Sequence, residues 1–267
     1  MKIDMSGNET TFPMPGNVED LYQDQGITSN PDGNIYALNA LADYTFVVVQ
    51  VTQSGGTTAF PLPFKYPADI TLGMVTGSDN NLWILHQNGI GRMTRTGQYT
   101  EFGGGPWQDL ARIVSGPDGN VWVEGTDNNN NAVLVRVNVQ DGSQTTYPMP
   151  ADAFDLTRGP YGKLYCMGAK RMYALDSHGG VTGYPIALLV HQSGATPLIM
   201  LAGPTKSGRL FWTMRHDGRF MLYSFNVQTH QIENRIVPPS GLGTPTVGSD
   251  NNIWFVGANS ASVLLFN

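Results

Sequence analysis

The chain has 267 residues, 40% of them hydrophobic, enough for one large all-β domain with a sizeable core. Charged residues make up 13%, about half the usual fraction, and a net charge of −6 with no basic stripe excludes a nucleic-acid surface. The single Cys166 excludes an internal disulfide, and no apolar run approaches the roughly 18 residues of a membrane span.

The N-terminal MKIDMSGNET lacks the apolar stretch of a signal peptide. A native Met1 therefore predicts a cytoplasmic protein, and a removed leader predicts a secreted one. The segment IDMSGNETTFPMP (3–15) reads as a strand and turn without partners of their own.

From residue 31 onward one pattern recurs six times: PDGNIYAL (31–38), SDNNLWIL (78–85), PDGNVWVE (117–124), PYGKLYCM (160–167), KSGRLFWT (206–213) and SDNNIWFV (249–256). Each copy is a turn rich in Gly, Asn or Asp followed by a hydrophobic strand with an aromatic residue. The spacing of 39 to 47 residues is that of a propeller blade. After each aromatic strand the first five copies carry a second half, such as VLVRVNVQDGSQTTYPMP (133–150), whose two-residue alternation predicts half-buried strands. Gly in the intervening turns permits a positive φ and hence a tight hairpin. Pro after the fourth strand ends the pairing, because it has no N–H to give.

The predicted fold is all-β: a six-bladed β-propeller of four-stranded antiparallel blades at about 20–63, 68–104, 107–150, 153–187, 197–239 and 243–267. The last copy stops short of a fourth strand. Residues 1–15 are expected to supply that outer strand and so remove an exposed sheet edge. Tyr36, Trp83, Trp122, Tyr165, Phe211 and Trp254 are expected to pack between blades.

The motifs Gly116-Pro117-Asp118-Gly119-Asn120-Val121-Trp122 and Ile90-Gly91-Arg92-Met93-Thr94 resemble those of the virginiamycin B lyase (streptogramin lyase) family of bacterial propellers. The resemblance covers nearly the whole chain and implies a fold that is generally seven-bladed. It also implies an enzyme that opens a cyclic ester by elimination, using two His residues and Glu residues that hold Mg²⁺. The positions matching the first family His are Gln25, Leu72, Ala111, Phe154, Leu198 and Gly243. Those matching the family Glu are Asn39, His86, Gly125, Gly168, Met214 and Gly257. None is the family's residue. An elimination needs a base within reach of the proton, so the sequence predicts that the activity does not carry over.

The expected function is therefore a non-catalytic propeller that binds a small polar ligand, a glycan or a protein on its loop face. Tyr66, Trp107 and Phe154 offer ring faces there, or else cap the top of the blade core, and Asp69, Asp109 and Asp155 offer carboxylates. Each of these Asp residues also fits a role capping its own turn. The alternative is a lyase with relocated groups, built on His86 beside Glu124 of the next blade and on His191. A structural or interaction module of a larger assembly is the third reading. No cofactor is expected, Mg²⁺ entering only with the lyase reading. No nucleic-acid or membrane partner is expected, and the chain is expected to be a monomer or weak oligomer. His178 and His230 fall in turns on the opposite face.

Overall fold

Short turns and period-two patterning give antiparallel meanders, and every described regular element is a strand. The structure is a computed structural model that describes residues 2–3, 9–10, 26–65, 71–105, 107–186, 208–216, 219–236, 245–247, 253–256 and 261–264.

At the N-terminus β1 (Lys2–Ile3) pairs with β2 (Glu9–Thr10). The first four-stranded sheet is β3 (Ile27–Ser29), β4 (Ile35–Ala40), β5 (Thr45–Val51) and β6 (Thr57–Lys65). The second is β7 (Thr71–Thr76), β8 (Leu82–His86), β9 (Gly89–Met93) and β10 (Tyr99–Glu101). The third is β11 (Trp107–Ser115), β12 (Val121–Asp127), β13 (Ala132–Val137) and β14 (Gln144–Pro148). The fourth is β15 (Phe154–Arg158), β16 (Leu164–Met167), β17 (Arg171–Leu175) and β18 (Val181–Pro185). A fifth sheet has the described strands β19 (Arg209–His216), β20 (Arg219–Asn226) and β21 (Gln231–Ile236). A sixth has β22 (Pro245–Val247), β23 (Ile253–Val256) and β24 (Ala261–Leu264). Neighbours in each sheet are consecutive in sequence, which makes this a repeating, multi-bladed all-β architecture.

The chain divides into two compact units, Met1–Ser115 with Gly119–Tyr147, and Gly116–Asp118 with Pro148–Asn267. In the first unit, strand alternation sends one face of the second sheet toward the first sheet and the other toward the third. Leu82, Ile84 and Met93 join Tyr36, Phe46, Val48 and Leu62 in one core cluster. Trp83, Leu85 and Ile90 join Ile113, Val121, Val123 and Val135 in another. In the second unit Tyr165, Met167 and Met172 pack against Leu210, Trp212 and Phe225. Burial of each such side chain contributes about 1.5–3 kcal/mol before the entropy of ordering it.

The repeated turn does more than reverse the chain. Tyr36 donates its hydroxyl hydrogen to Asp32 Oδ2 at 2.9 Å, and Trp83 Nε1 donates to Asp79 Oδ1 at 3.2 Å. In both sheets the turn Asp therefore grips the strand aromatic four positions later. Arg92 lies over the Trp83 and Phe102 rings, 5.7 and 5.3 Å from their centroids, and donates to Val139 O at 3.0 Å.

Candidate functional site

Strand β9, between β8 and β10 in the second sheet, carries two glycines where its neighbours carry chemistry. The two-residue turn Gln87–Asn88 places Gly89 opposite His86, and Gly91 opposite Ile84. On the other side Gly91 is opposite Glu101, and Met93 is opposite Tyr99. Cross-strand partners share a face, so His86, Gly89, Gly91, Tyr99 and Glu101 all lie on the side toward the first sheet. A Cβ on Gly91 would run into the Tyr99 ring, and one on Gly89 would sit 2.9 Å from Glu101 Oε1. The glycines form a trough through which residues of β8 and β10 meet across β9.

In that trough His86 Nε2 lies 3.0 Å from Glu101 Oε2. The Tyr99 hydroxyl donates to the same oxygen at 2.6 Å and lies 3.5 Å from His86 Nε2. The Gly103 N–H donates to Glu101 Oε1 at 3.0 Å. Burial pushes the Glu101 carboxyl upward, but the hydrogen bonds from His86 and Tyr99, the His86 charge and the Gly103 N–H outweigh it and hold the carboxyl below its ordinary value. Phe64, from the end of β6, lies on the His86 ring, with centroids 4.6 Å apart and planes 17° from parallel. The His86 side chain is thereby 5% exposed, against 42% for Glu101. The member of the pair that an incoming molecule can reach is the carboxylate.

The pairing of His86 with Glu124 expected from the sequence does not form. Glu124 is opposite Leu134 and Arg112, on the face of β12 that alternates with Val121 and Val123. Val121 and Val123 are the residues that pack toward the second sheet, so Glu124 points away from it while His86 faces the first sheet. Alternation turns the two side chains in opposite directions. A signal for Glu101 was present in the sequence: a Gly-x-Gly strand flanked by His on one side and Tyr-x-Glu on the other.

The family model for the virginiamycin B lyase family matches residues 64–264, three quarters of the chain. The chain belongs to the virginiamycin B lyase family. A solved streptogramin B lyase is 20% identical with a TM-score of 0.67, covering 91% of this chain and 93% of that one. The virginiamycin B lyase of Staphylococcus aureus is 19% identical with a TM-score of 0.75, covering 99% of this chain and 87% of that one. Its catalytically inactive histidine-to-alanine variant, solved with quinupristin, is 18% identical with a TM-score of 0.75 and coverages of 98% and 85%. Among curated proteins none matches. Membership of a family of lyases overturns the expectation that this chain is not an enzyme, and favours a lyase-like role over a purely binding one.

The other expected site residues divide. Tyr66, Asp69 and His191 lie outside the described residues. Trp107 is 7% exposed and belongs to the core cluster between the second and third sheets, so it presents no ring to solvent. Gly105 makes room for that ring, since a Cβ there would strike it. Phe154 is half-buried against the core of the second unit. Asp109 is exposed, and its N–H donates to Thr126 Oγ1 at 3.4 Å. Asp155 is buried, with φ of 64° in the bulged stretch between Phe154 and Thr157. His230 stacks on Tyr184 with centroids 3.8 Å apart, and His178 flanks the Asp176 turn. Among the described residues no helix is long and apolar enough to cross a membrane.

The family likeness implies Mg²⁺, which requires about six oxygen ligands. Among the described residues no three His, Cys, Asp or Glu side chains gather into a possible metal site. Both Glu101 oxygens already accept hydrogen bonds. The described residues do not fit the ion.

Proposed function

We propose that this chain is a carbon–oxygen lyase that opens a cyclic ester by elimination, with Glu101 as its base. The observation that carries this reading is the solvent-facing Glu101 carboxylate, fixed by His86, Tyr99 and Gly103, in a member of a lyase family. Three donors hold the carboxylate in one orientation and keep it ionised. Glu101 takes the proton from the carbon next to the one that bears the ester oxygen. The C–H electrons form a C=C bond, the C–O bond breaks, and the oxygen departs as a carboxylate that needs no proton. His86 and Tyr99 are positioning residues that hold the base.

These groups are the relocated equivalent of the family's acid/base residues. We further place them in a single six-bladed ring whose last blade is completed by residues 1–15. Deleting those residues is expected to abolish cooperative unfolding, and an unchanged melting profile would refute the closure.

Quinupristin, the molecule solved with the related lyase, is the first substrate to try. Mass spectrometry separates the outcomes. Elimination opens the ring without change of mass and creates a C=C chromophore, whereas hydrolysis adds one water. Glu101→Gln is expected to reduce turnover by about 10²–10⁴-fold. Wild-type turnover in that variant would move the chemistry elsewhere.

A further inference from the structure

The turn that opens the trough carries a residue pair with chemistry of its own. Asn88 is the only asparagine in the chain that glycine follows. It sits in the exposed two-residue turn between β8 and β9, and Gly89 is the first residue of β9, opposite His86. Glycine leaves its nitrogen unshielded, because it has no Cβ. The backbone packed against the turn adds no side chain over it, being glycine too. A Cβ on Gly104 would sit 3.2 Å from Asn88 O, and one on Gly89 would sit 2.8 Å from Gly103 O.

Other asparagine amides are tied down. Asn30 Nδ2 donates to Asn80 O at 2.9 Å, and Asn81 Nδ2 to Asp79 Oδ2 at 2.8 Å. Asn131 Nδ2 donates to Asp127 Oδ2 at 3.0 Å, and Asn226 Nδ2 to Glu233 Oε1 at 2.7 Å. Among the described residues nothing holds the Asn88 amide. An exposed carboxamide is thus left to swing toward the nitrogen of the next residue. It does so at a hairpin end, which opens locally more readily than the buried strands it joins.

We propose that Asn88 is a self-modification site, where the chain converts its own asparagine to isoaspartate and so disables the trough. The Gly89 nitrogen attacks Asn88 Cγ and gives up its proton to solvent. The Cγ–Nδ2 bond breaks, and Nδ2 leaves as ammonia. Water then opens the resulting cyclic imide at either carbonyl, giving aspartate or isoaspartate. Isoaspartate runs the main chain through Cβ and Cγ, which lengthens the turn ahead of Gly89 by one carbon. The trough needs Gly89 opposite His86 and Gly91 opposite Glu101. The longer turn carries both glycines out of line and parts His86 from Glu101. The effect on turnover rests on the lyase reading of Glu101, and the modification itself does not.

The test ages the full chain, folded, in mildly alkaline buffer beside Asn88→Ser, and compares tryptic peptides with those of unaged protein. Cleavage after Lys65 and Arg92 gives one peptide that holds Asn80, Asn81 and Asn88, so two asparagines followed by larger residues serve as controls. Replacement of NH by O, located by fragment mass spectrometry, is expected at Asn88 about tenfold faster than at Asn80 or Asn81, whose next residues shield the nitrogen. Labelling of that peptide by an isoaspartyl methyltransferase identifies the isoaspartate. The isoaspartate fraction, separated by its added charge, is expected to melt at a lower temperature than Asn88→Asp, which has the charge without the longer chain. Turnover of quinupristin is expected to fall in proportion to that fraction, and to persist in aged Asn88→Ser. Conversion at Asn88 no faster than at Asn80 and Asn81 overturns the proposal, and so does an isoaspartate fraction that melts like Asn88→Asp. Fresh protein without turnover would overturn the lyase reading instead, and the peptide map and melting temperatures would still decide the role of Asn88.

Discussion

His86 Nε2 and Glu101 Oε2 are 3.0 Å apart although the whole of β9 lies between their strands. The contact exists because β9 presents no side chain at the two positions between them.

Gly91 is therefore the most exposed point of failure. Gly91→Ala would drive a methyl into the Tyr99 ring and force it, with Glu101, out of the trough. The expected cost is about 1–3 kcal/mol of stability. Turnover is expected to fall further than the stability loss explains. Thermal unfolding and activity, measured on the same preparation, check this; activity that merely follows the folded fraction would count against the trough.

The His86 bond sets the acid side of the Glu101 titration. Because that bond lowers the Glu101 carboxyl, His86→Gln is expected to move the acid limb of kcat/KM to higher pH. A residue with only a packing role would lower the rate at every pH and leave the limb in place.

Linkage gives the same pair a signature in stability. Glu101 titrates below its ordinary 4.5 in the folded protein. Its contribution is then complete above pH 4.5 and is lost as pH falls through the lower folded-state value. The melting-temperature gap between wild type and Glu101→Gln is expected to be constant above that pH and to close on further acidification. A gap that widened in acid would reverse the assignment. Asp43, held down to about 2 chiefly by Lys65, should show the same closure at lower pH in Asp43→Asn.

Two tryptophans of comparable burial should respond differently to the same change. Trp83 Nε1 donates to Asp79, whereas Trp212 Nε1 is buried without a partner among the described residues. Replacement by Phe removes a made bond in the first case and an unsatisfied donor in the second. Trp83→Phe is expected to be the more destabilising by about 1–3 kcal/mol in urea unfolding.

The repeat was legible because its determinants are local. Gly33 and Asn80 take the positive φ of their turns, and each of these turns leads straight into a buried aromatic strand. The site was legible only in part, because its determinants are two strands apart. His86 stood out by residue type, but choosing its partner required the register of β9 against β10. A shift of one residue there would bring Thr100 to the face that Glu101 now occupies. Trp107 fits two readings in the sequence, a ligand face and a core cap, for a related reason. A Trp between Pro106 and Gln108 looks exposed in a string of letters, and only the space left by Gly105 shows that the ring folds inward.

The grip of Asp32 on Tyr36 and of Asp79 on Trp83 has a consequence for how such a chain can change. Each fastening is made within one repeat and at one end of it. The loops at the opposite end take no part in that fastening. They accept different residues within one turn geometry: the turns at 41–44 and 127–130 make the same backbone hydrogen bonds, with Tyr44 and Asn130 in the same left-handed position. Novel chemistry in such an array can therefore arise one repeat at a time, at the end of the strands that the fold does not use to define itself.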